Sequence, residues 1–258
     1  VPSGVTVGAI DTGSGSVELE AGAVARNIDT GSGAIQLGEG ARAARIDTGS
    51  GQVRIGADAQ VADVDTGSGS VRLANGVRTH SIDTGSGSVS GGERIVVDGK
   101  IDTGSGSVSL GASATVNDDI DTGSGSVSLG AGSTVNGDID TGSGSVRLVG
   151  SKVRGKVDTG SGDIRLLDSE VGEDLTTHSG RVDLEGSSRI TGDLIIRKSS
   201  CWGWCWGSDK TTRVTIGASA SVSGEIRSER EIELWVHQDA KIGPVTGAQV
   251  QRFTGERP

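Results

Sequence analysis

Methionine and tyrosine are missing from this chain, phenylalanine occurs once, and aromatic residues make up 2% of its 258 positions. A core with so few rings has to be narrow and filled by small aliphatic side chains. Only three prolines accompany 45 glycines, and no three-residue period runs through them. The glycine therefore serves turns and not a collagen helix. No stretch of 18 apolar residues exists, which excludes a membrane-spanning helix. Positive charge is in deficit, 24 Lys and Arg against 34 Asp and Glu, for a net charge of −10 and a pI near 4.8. That balance argues against nucleic acid as a partner. Position 1 is Val, so the chain is expected to begin after an export signal has been removed, although loss of an initiator Met leaves the same start.

What the chain does have is a block, Ile or Val followed by Asp-Thr-Gly-Ser-Gly, that recurs with its Asp at 11, 29, 47, 65, 83, 102, 121, 140 and 158. Steps of 18 or 19 residues are the mark of a solenoid. Seven residues after the first aliphatic of each block comes a second, such as Val127 after Ile120, and two further on a third, such as Leu129. Between them lies a variable outward position, occupied by Glu18, Gln36, Arg54, Arg72, Ser109, Ser128, Arg147 and Arg165. This alternation is that of a half-buried strand. The fifth unit departs, with Gly91 at the third position and Ile95 and Val97 as replacements for its core.

Thr-Gly-Ser-Gly reads as a turn, where Gly accepts positive φ and the preceding Asp bonds the backbone ahead. Further bends are expected near Gly111-Ala112-Ser113-Ala114 and Asn136-Gly137-Asp138. Three short strands and three bends per unit predict an all-β, single-domain parallel β-helix of about a dozen triangular coils, a rod roughly 60 Å long at the β spacing. Its handedness is left open. Regular coils span 1–196, an inserted loop 197–213, and terminal coils with a C-terminal cap 214–258.

These residues resemble a known family. The run from Gly137 to Leu148, Gly-Asp-Ile-Asp-Thr-Gly-Ser-Gly-Ser-Val-Arg-Leu, is similar to the tandem units of exported bacterial adhesin-like proteins of the head-GIN type. The stretches Val214–Ala218 and Ile242–Ala248 are similar to the ending of some of them. More distantly, the Gly-punctuated coil resembles bactofilins, which form β-helical polymers. The resemblance implies a non-catalytic role at the bacterial surface, envelope or periplasm, and it carries over no catalytic residue.

Asp-Thr-Gly-Ser is also the signature of aspartic proteases, but nine copies at a short fixed spacing leave no pair of lobes to hold a water between two carboxylates. Stacked coils instead place Asp11, Asp29, Asp47, Asp65, Asp83, Asp102, Asp121, Asp140 and Asp158 in a ladder about 4.8 Å apart, where unit charges repel by roughly 0.9 kcal/mol even in bulk water. Three resolutions are open: acceptance of turn N–H groups in solvent, bridging by Ca²⁺, or protonation. An ice-binding face is disfavoured, because the outward positions carry Arg, Glu, Gln and Ser in place of a Thr array.

The repeat breaks at Cys201-Trp202-Gly203-Trp204-Cys205-Trp206. Aligning Leu194 with Leu175, and Val214 with Val182, turns a four-residue link into one of 17 residues, Arg197 to Arg213. An extended segment separates the two Cys by about 13 Å, too far for a bond, whereas a hairpin at Gly203 joins them; in an exported protein the Cys201–Cys205 disulfide is expected. Trp202, Trp204 and Trp206 form either a self-packed lid or a contact for another subunit, a glycan or a lipid headgroup. The three His (His80, His178, His237) are scattered in the repeat and expected in turns or at the surface, and no carboxylate pair stands out. No catalytic residue or cofactor is therefore assigned, Ca²⁺ excepted. A polysaccharide lyase or hydrolase is the alternative, and adjacent outward acids and bases on one coil would favour it. Self-association, end to end or lateral, and cell-surface glycans are the expected partnerships.

Overall fold

The computed structural model describes residues 1–198 and 212–255, and every strand pairing in it is parallel. One coil serves for all. Its first side is Ile120–Thr122, its second Val127–Leu129 and its third Thr134–Val135. The second sides stack into a 13-stranded sheet, and the first and third sides together form a 21-stranded sheet bent around a corner. Thirteen rungs at the β spacing give a rod of roughly 60 Å.

Like lies over like. Ile101, Ile120 and Ile139 are register partners in successive rungs, as are Val108, Val127 and Val146. Their side chains are buried and form one continuous column of Ile, Leu, Val and Ala from Val17 to Ala240. Gly91 does break the third-position column, and Ile95 fills the gap: a Cβ on Gly91 would sit 2.9 Å from Ile95 Cγ1. Each rung is covered by two neighbours, so stability accumulates along the stack.

The two repeat lengths have separate causes. In the early 18-residue coils the third and first sides run together as single strands such as Arg42–Thr48, in which Ala43 is buried, Ala44 and Arg45 are exposed, and Ile46 is buried again. That slip in alternation is the corner. From Val97 onward one extra residue lengthens it, and the strand divides, as in Thr115–Val116 and Ile120–Thr122. The return to 18 residues before Asp158 comes from the opposite corner: five steps from Leu129 to Thr134 become four from Leu148 to Lys152, their partners.

The glycines of the Thr-Gly-Ser-Gly turn differ from expectation. None in the nine Thr-Gly-Ser-Gly copies adopts positive φ, which Gly180 and Gly247 take only in the altered turns past the ladder; along the repeat that conformation belongs to the corner after the second side, at Gly22, Gly40, Asp58, Gly76, Arg94, Ser113, Gly132, Gly150, Asp168 and Gly186. The turn glycines are required by stacking. A Cβ on Gly87 would lie 1.8 Å from the carbonyl oxygen of Gly69, and one on Gly144 1.7 Å from that of Gly125. The turn backbone itself bonds rung to rung, with Gly31 N–H donating to Thr12 O at 3.2 Å and Ser32 N–H to Gly13 O at 3.1 Å.

Past Asp158 the rungs continue in the expected register, Leu175 with Leu194 and Val182 with Val214, and the strand after the interruption begins at Thr212, within the span 197–213 expected to be loop. Cys201, Cys205, Trp202, Trp204 and Trp206 lie outside the described residues. Trp235 stands outward on the second side, paired with Thr215, while Phe253 is buried edge-to-face against His237 with ring centroids 5.2 Å apart. No helix among the described residues is long and apolar enough to cross a membrane.

Candidate functional site

The repeated six-residue block divides its labour by direction. In each first side the aliphatic and the Thr point inward and the Asp between them points out. The buried Thr hydroxyl, not the Asp, closes the turn. Thr48 Oγ1 and Thr66 Oγ1 accept from Gly51 N–H at 2.9 Å and Gly69 N–H at 2.8 Å. Thr30, Thr141 and Thr159 donate to the carbonyls of Gly33, Gly144 and Gly162 at 2.8, 2.7 and 3.1 Å. Rungs are tied sideways as well: the Thr30 proton being committed to Gly33, the Thr48 hydroxyl donates to Thr30 Oγ1 at 3.1 Å. A hydroxyl both donates and accepts, which lets one side chain satisfy a buried turn.

All nine Asp are register partners in an unbroken outward ladder from Asp11 to Asp158, which Thr176 then ends. It faces a shallow groove, lined on four rungs by Asp102, Asp121, Asp140 and Asp158 with the Thr and Gly beside them. Outside that groove, partial burial, followed by repulsion from Asp47 and Asp83, raises the Asp65 carboxyl above its ordinary value of 3.8. Burial likewise leads at Asp121, with Asp140 and Asp102 adding to it. At Asp140 burial outweighs the attraction of Lys156, and Asp158 and Asp138 push the same way as burial.

A feature the sequence reading missed offsets part of this charge. The residue just before the first aliphatic is a cation on every third rung: Arg45, Lys100 and Lys156. Arg45 lies 3.0 Å from Asp47 and 3.5 Å from Asp65, Lys100 3.0 Å from Asp102, and Lys156 3.6 Å from Asp140. At Asp119, Asp138, Asp174 and Asp193 the residue in that column is instead an acid whose job is structural. Asp119 accepts from Asp138 N–H at 2.7 Å, Asp138 from Lys156 N–H at 2.9 Å, and Asp193 from Glu225 N–H at 2.7 Å. The glycine of the Gly-Asp-Ile run makes room for it, since a Cβ on Gly137 would meet Asp119 Oδ1 at 2.2 Å. Carboxylates do take backbone N–H groups here, but those of this neighbouring column and not those of the ladder. Among the described residues no group of three or more His, Cys, Asp or Glu is placed to hold a metal ion. A cation on the ladder would bridge successive rungs and complete its shell with water.

The three His stay apart. His80 is exposed and His178 half-buried, whereas His237 departs from the surface placement expected of it and is buried against Phe253. A second constellation does converge, on the second side of the rungs flanking the interruption. Arg165, Asp183 and Thr215 are outward register partners there. Arg181 and Glu185 flank Asp183, and Arg213 flanks Thr215. Burial raises the Asp183 carboxyl, the Thr215 hydroxyl opposing it first and Arg181 next. The individual residues were visible in the sequence; their meeting was not, because the long link separates Asp183 from Thr215.

A family model described as Toastrack DUF4097 matches residues 62–194, just over half of the chain. The comparisons with curated proteins and with solved structures gave no match.

Proposed function

The chain belongs to the Toastrack DUF4097 family, and from that premise we propose that it is a non-enzymatic structural protein, exported and displayed in the bacterial envelope or at the cell surface, adhesin-like in role. One observation carries the reading. The positions that repeat nearly unchanged are those that build the rod: the inward aliphatics, the turn-closing Thr and the stacked Gly. The outward positions of the second side vary from Glu18 and Gln36 to Arg54, Ser109 and Arg147. Such a chain specifies a stiff shape and leaves its surface free to differ along its length. Self-assembly by stacking the rungs of one chain on those of another belongs to the same proposal.

Fractionation of the producing cell, with protease shaving of intact cells, tests the location; recovery only in the cytosol rejects it. Negative-stain images over a range of concentrations test assembly. Filaments of the width of one rod are expected, and uniform short rods at every concentration reject stacking. A polysaccharide-active enzyme remains the second reading, favoured by the meeting of Arg165, Arg181, Asp183, Glu185 and Arg213 on one face. Release of new reducing ends or unsaturated products from polysaccharide would establish it.

A further inference from the structure

A groove lies on the second side across the rungs of Arg165, Asp183 and Thr215, with a volume of about 700 Å³. That falls within the roughly 300–1,000 Å³ of small-molecule sites. Its floor is three columns wide. Arg181 and Arg213 form one edge, Arg165, Asp183 and Thr215 the middle, and Leu167 with Glu185 the other edge. Phe253 and Gly255 of the last coil close one end.

Its charges are unequally engaged. Arg165 Nη2 donates to both Glu185 carboxylate oxygens at 2.9 and 2.8 Å, while its buried Nε has no partner. Arg213 donates to Glu233 at 2.8 Å. The Arg181 guanidinium is exposed and forms no ion pair among the described residues. The groove thus offers one uncommitted guanidinium, two carboxylates able to accept hydroxyl protons, and an apolar margin at Leu167 and Phe253.

We infer that this groove binds a saccharide carrying a carboxylate, a uronic acid unit of a glycan, with the sugar carboxylate on Arg181 and its hydroxyls on Asp183 and Glu185. The alternatives fail on charge. A polyanion such as a polyphosphate meets Asp183 and Glu185 on a chain of net charge −10. A cationic ligand meets three Arg. A single carboxylate matches the fork of one guanidinium, and the hydroxyls that surround it suit carboxylate acceptors. The half-buried Asp183, its carboxyl raised by burial, is the better placed of the two acids to serve also as a donor. The inference deepens the surface reading and rests on it for the supply of glycan.

The test is calorimetric titration of the purified chain with trigalacturonate, with maltotriose as the neutral probe. Arg181→Gln removes this exposed guanidinium without breaking an ion pair among the described residues, and Arg72→Gln removes an outward Arg of the same sheet several rungs away. Loss of one charge-assisted contact predicts affinity for trigalacturonate about tenfold weaker in R181Q, with R72Q within about twofold of the parent and maltotriose at least about tenfold weaker than the uronate. Absence of trigalacturonate binding at about 10 mM overturns the inference. So does an R181Q isotherm equal to the parent's, an equal loss in R72Q, or equal binding of maltotriose. Thermal melting of R181Q at the parent's midpoint excludes a folding defect. Cytosolic location of the protein would sink the surface reading and leave these isotherms standing.

Discussion

Single residues in this rod are constrained by the rung above and below more than by their own turn. Gly87 shows it. Its φ is unexceptional, yet a Cβ there would overlap the Gly69 carbonyl at 1.8 Å, and the atom in the way is backbone that the stack holds in place. Gly87→Ala is expected to cost about 3 kcal/mol, as overpacking of a rigid interior does. Gly13→Ala, with nothing within 4 Å of the new atom, is expected to change stability by less than about 0.5 kcal/mol. Chemical denaturation of the two variants decides; equal losses would mean that the turn's conformation, and not the stacking, selects glycine. The opposite case is Arg94, which holds φ +55 in a column otherwise rich in Gly. Only a 3.8 Å ion pair with exposed Glu93 is lost with its side chain. Arg94→Gly is expected to stabilise the rod by about 1 kcal/mol, the strain of a left-handed L-residue. A lower denaturation midpoint in that variant would show that the corner tolerates Arg without strain.

At the scale of the coil side, the Asp ladder makes stability depend on acid. Asp65, Asp121 and Asp140 hold their protons more tightly in the rod than at their ordinary value of 3.8. The folded state therefore binds more protons than the unfolded one, and stability falls as pH rises through that range. The thermal midpoint is expected to rise as pH is lowered from neutrality toward the region just above 3.8. Asp168 acts in the other direction, its carboxyl lowered by hydrogen bonds from the Ser187 N–H and hydroxyl, though in an exposed setting. The informative comparison is thus with the triple variant D65N/D121N/D140N, whose midpoint should be higher at neutral pH and less responsive to acid. An unchanged pH profile would remove the ladder as the cause. Screening predicts that NaCl and CaCl₂ at equal ionic strength raise the midpoint alike. A calcium excess that vanishes in the triple variant would instead identify bridging between rungs.

The sides also differ in how readily the sequence discloses them. The second side was legible because Val127, Ser128 and Leu129 alternate cleanly and recur. The first was legible in place but not in chemistry: Thr and Asp both follow the aliphatic, and nothing in the letters says that Thr turns inward to close the loop while Asp stays out. The third side is only two residues long in most coils, as in Thr115–Val116, too short for alternation to register. Arg45, Lys100 and Lys156 were hidden for another reason. Their spacing of three rungs is longer than the repeat, so a comparison of adjacent units shows only irregularity. The uronate groove draws on columns whose members sit 18, 32 or more residues apart, and it becomes visible only once the register is known.

Across the whole molecule, rungs are interchangeable because each is held by its neighbours in the same way. Residues 102–120 and 121–139 present the same partners to the rungs on either side, Ile to Ile, Asp to Asp and Thr to Thr. Duplicating residues 121–139 should therefore insert one more coil without a new kind of contact. In a linear stack, total stability is a sum of rung and interface terms, so the lengthened rod should melt no lower than the parent. Its long dimension in solution scattering should grow by about 4.8 Å, one β spacing, at constant cross-section. The added rung also adds one Asp to the ladder and none of the cations that stand on every third rung. The gain should accordingly be larger in high salt than in low. A duplicated chain that melts earlier at every ionic strength, or that broadens in place of lengthening, would show that rung position along the rod matters in a way the shared register does not capture.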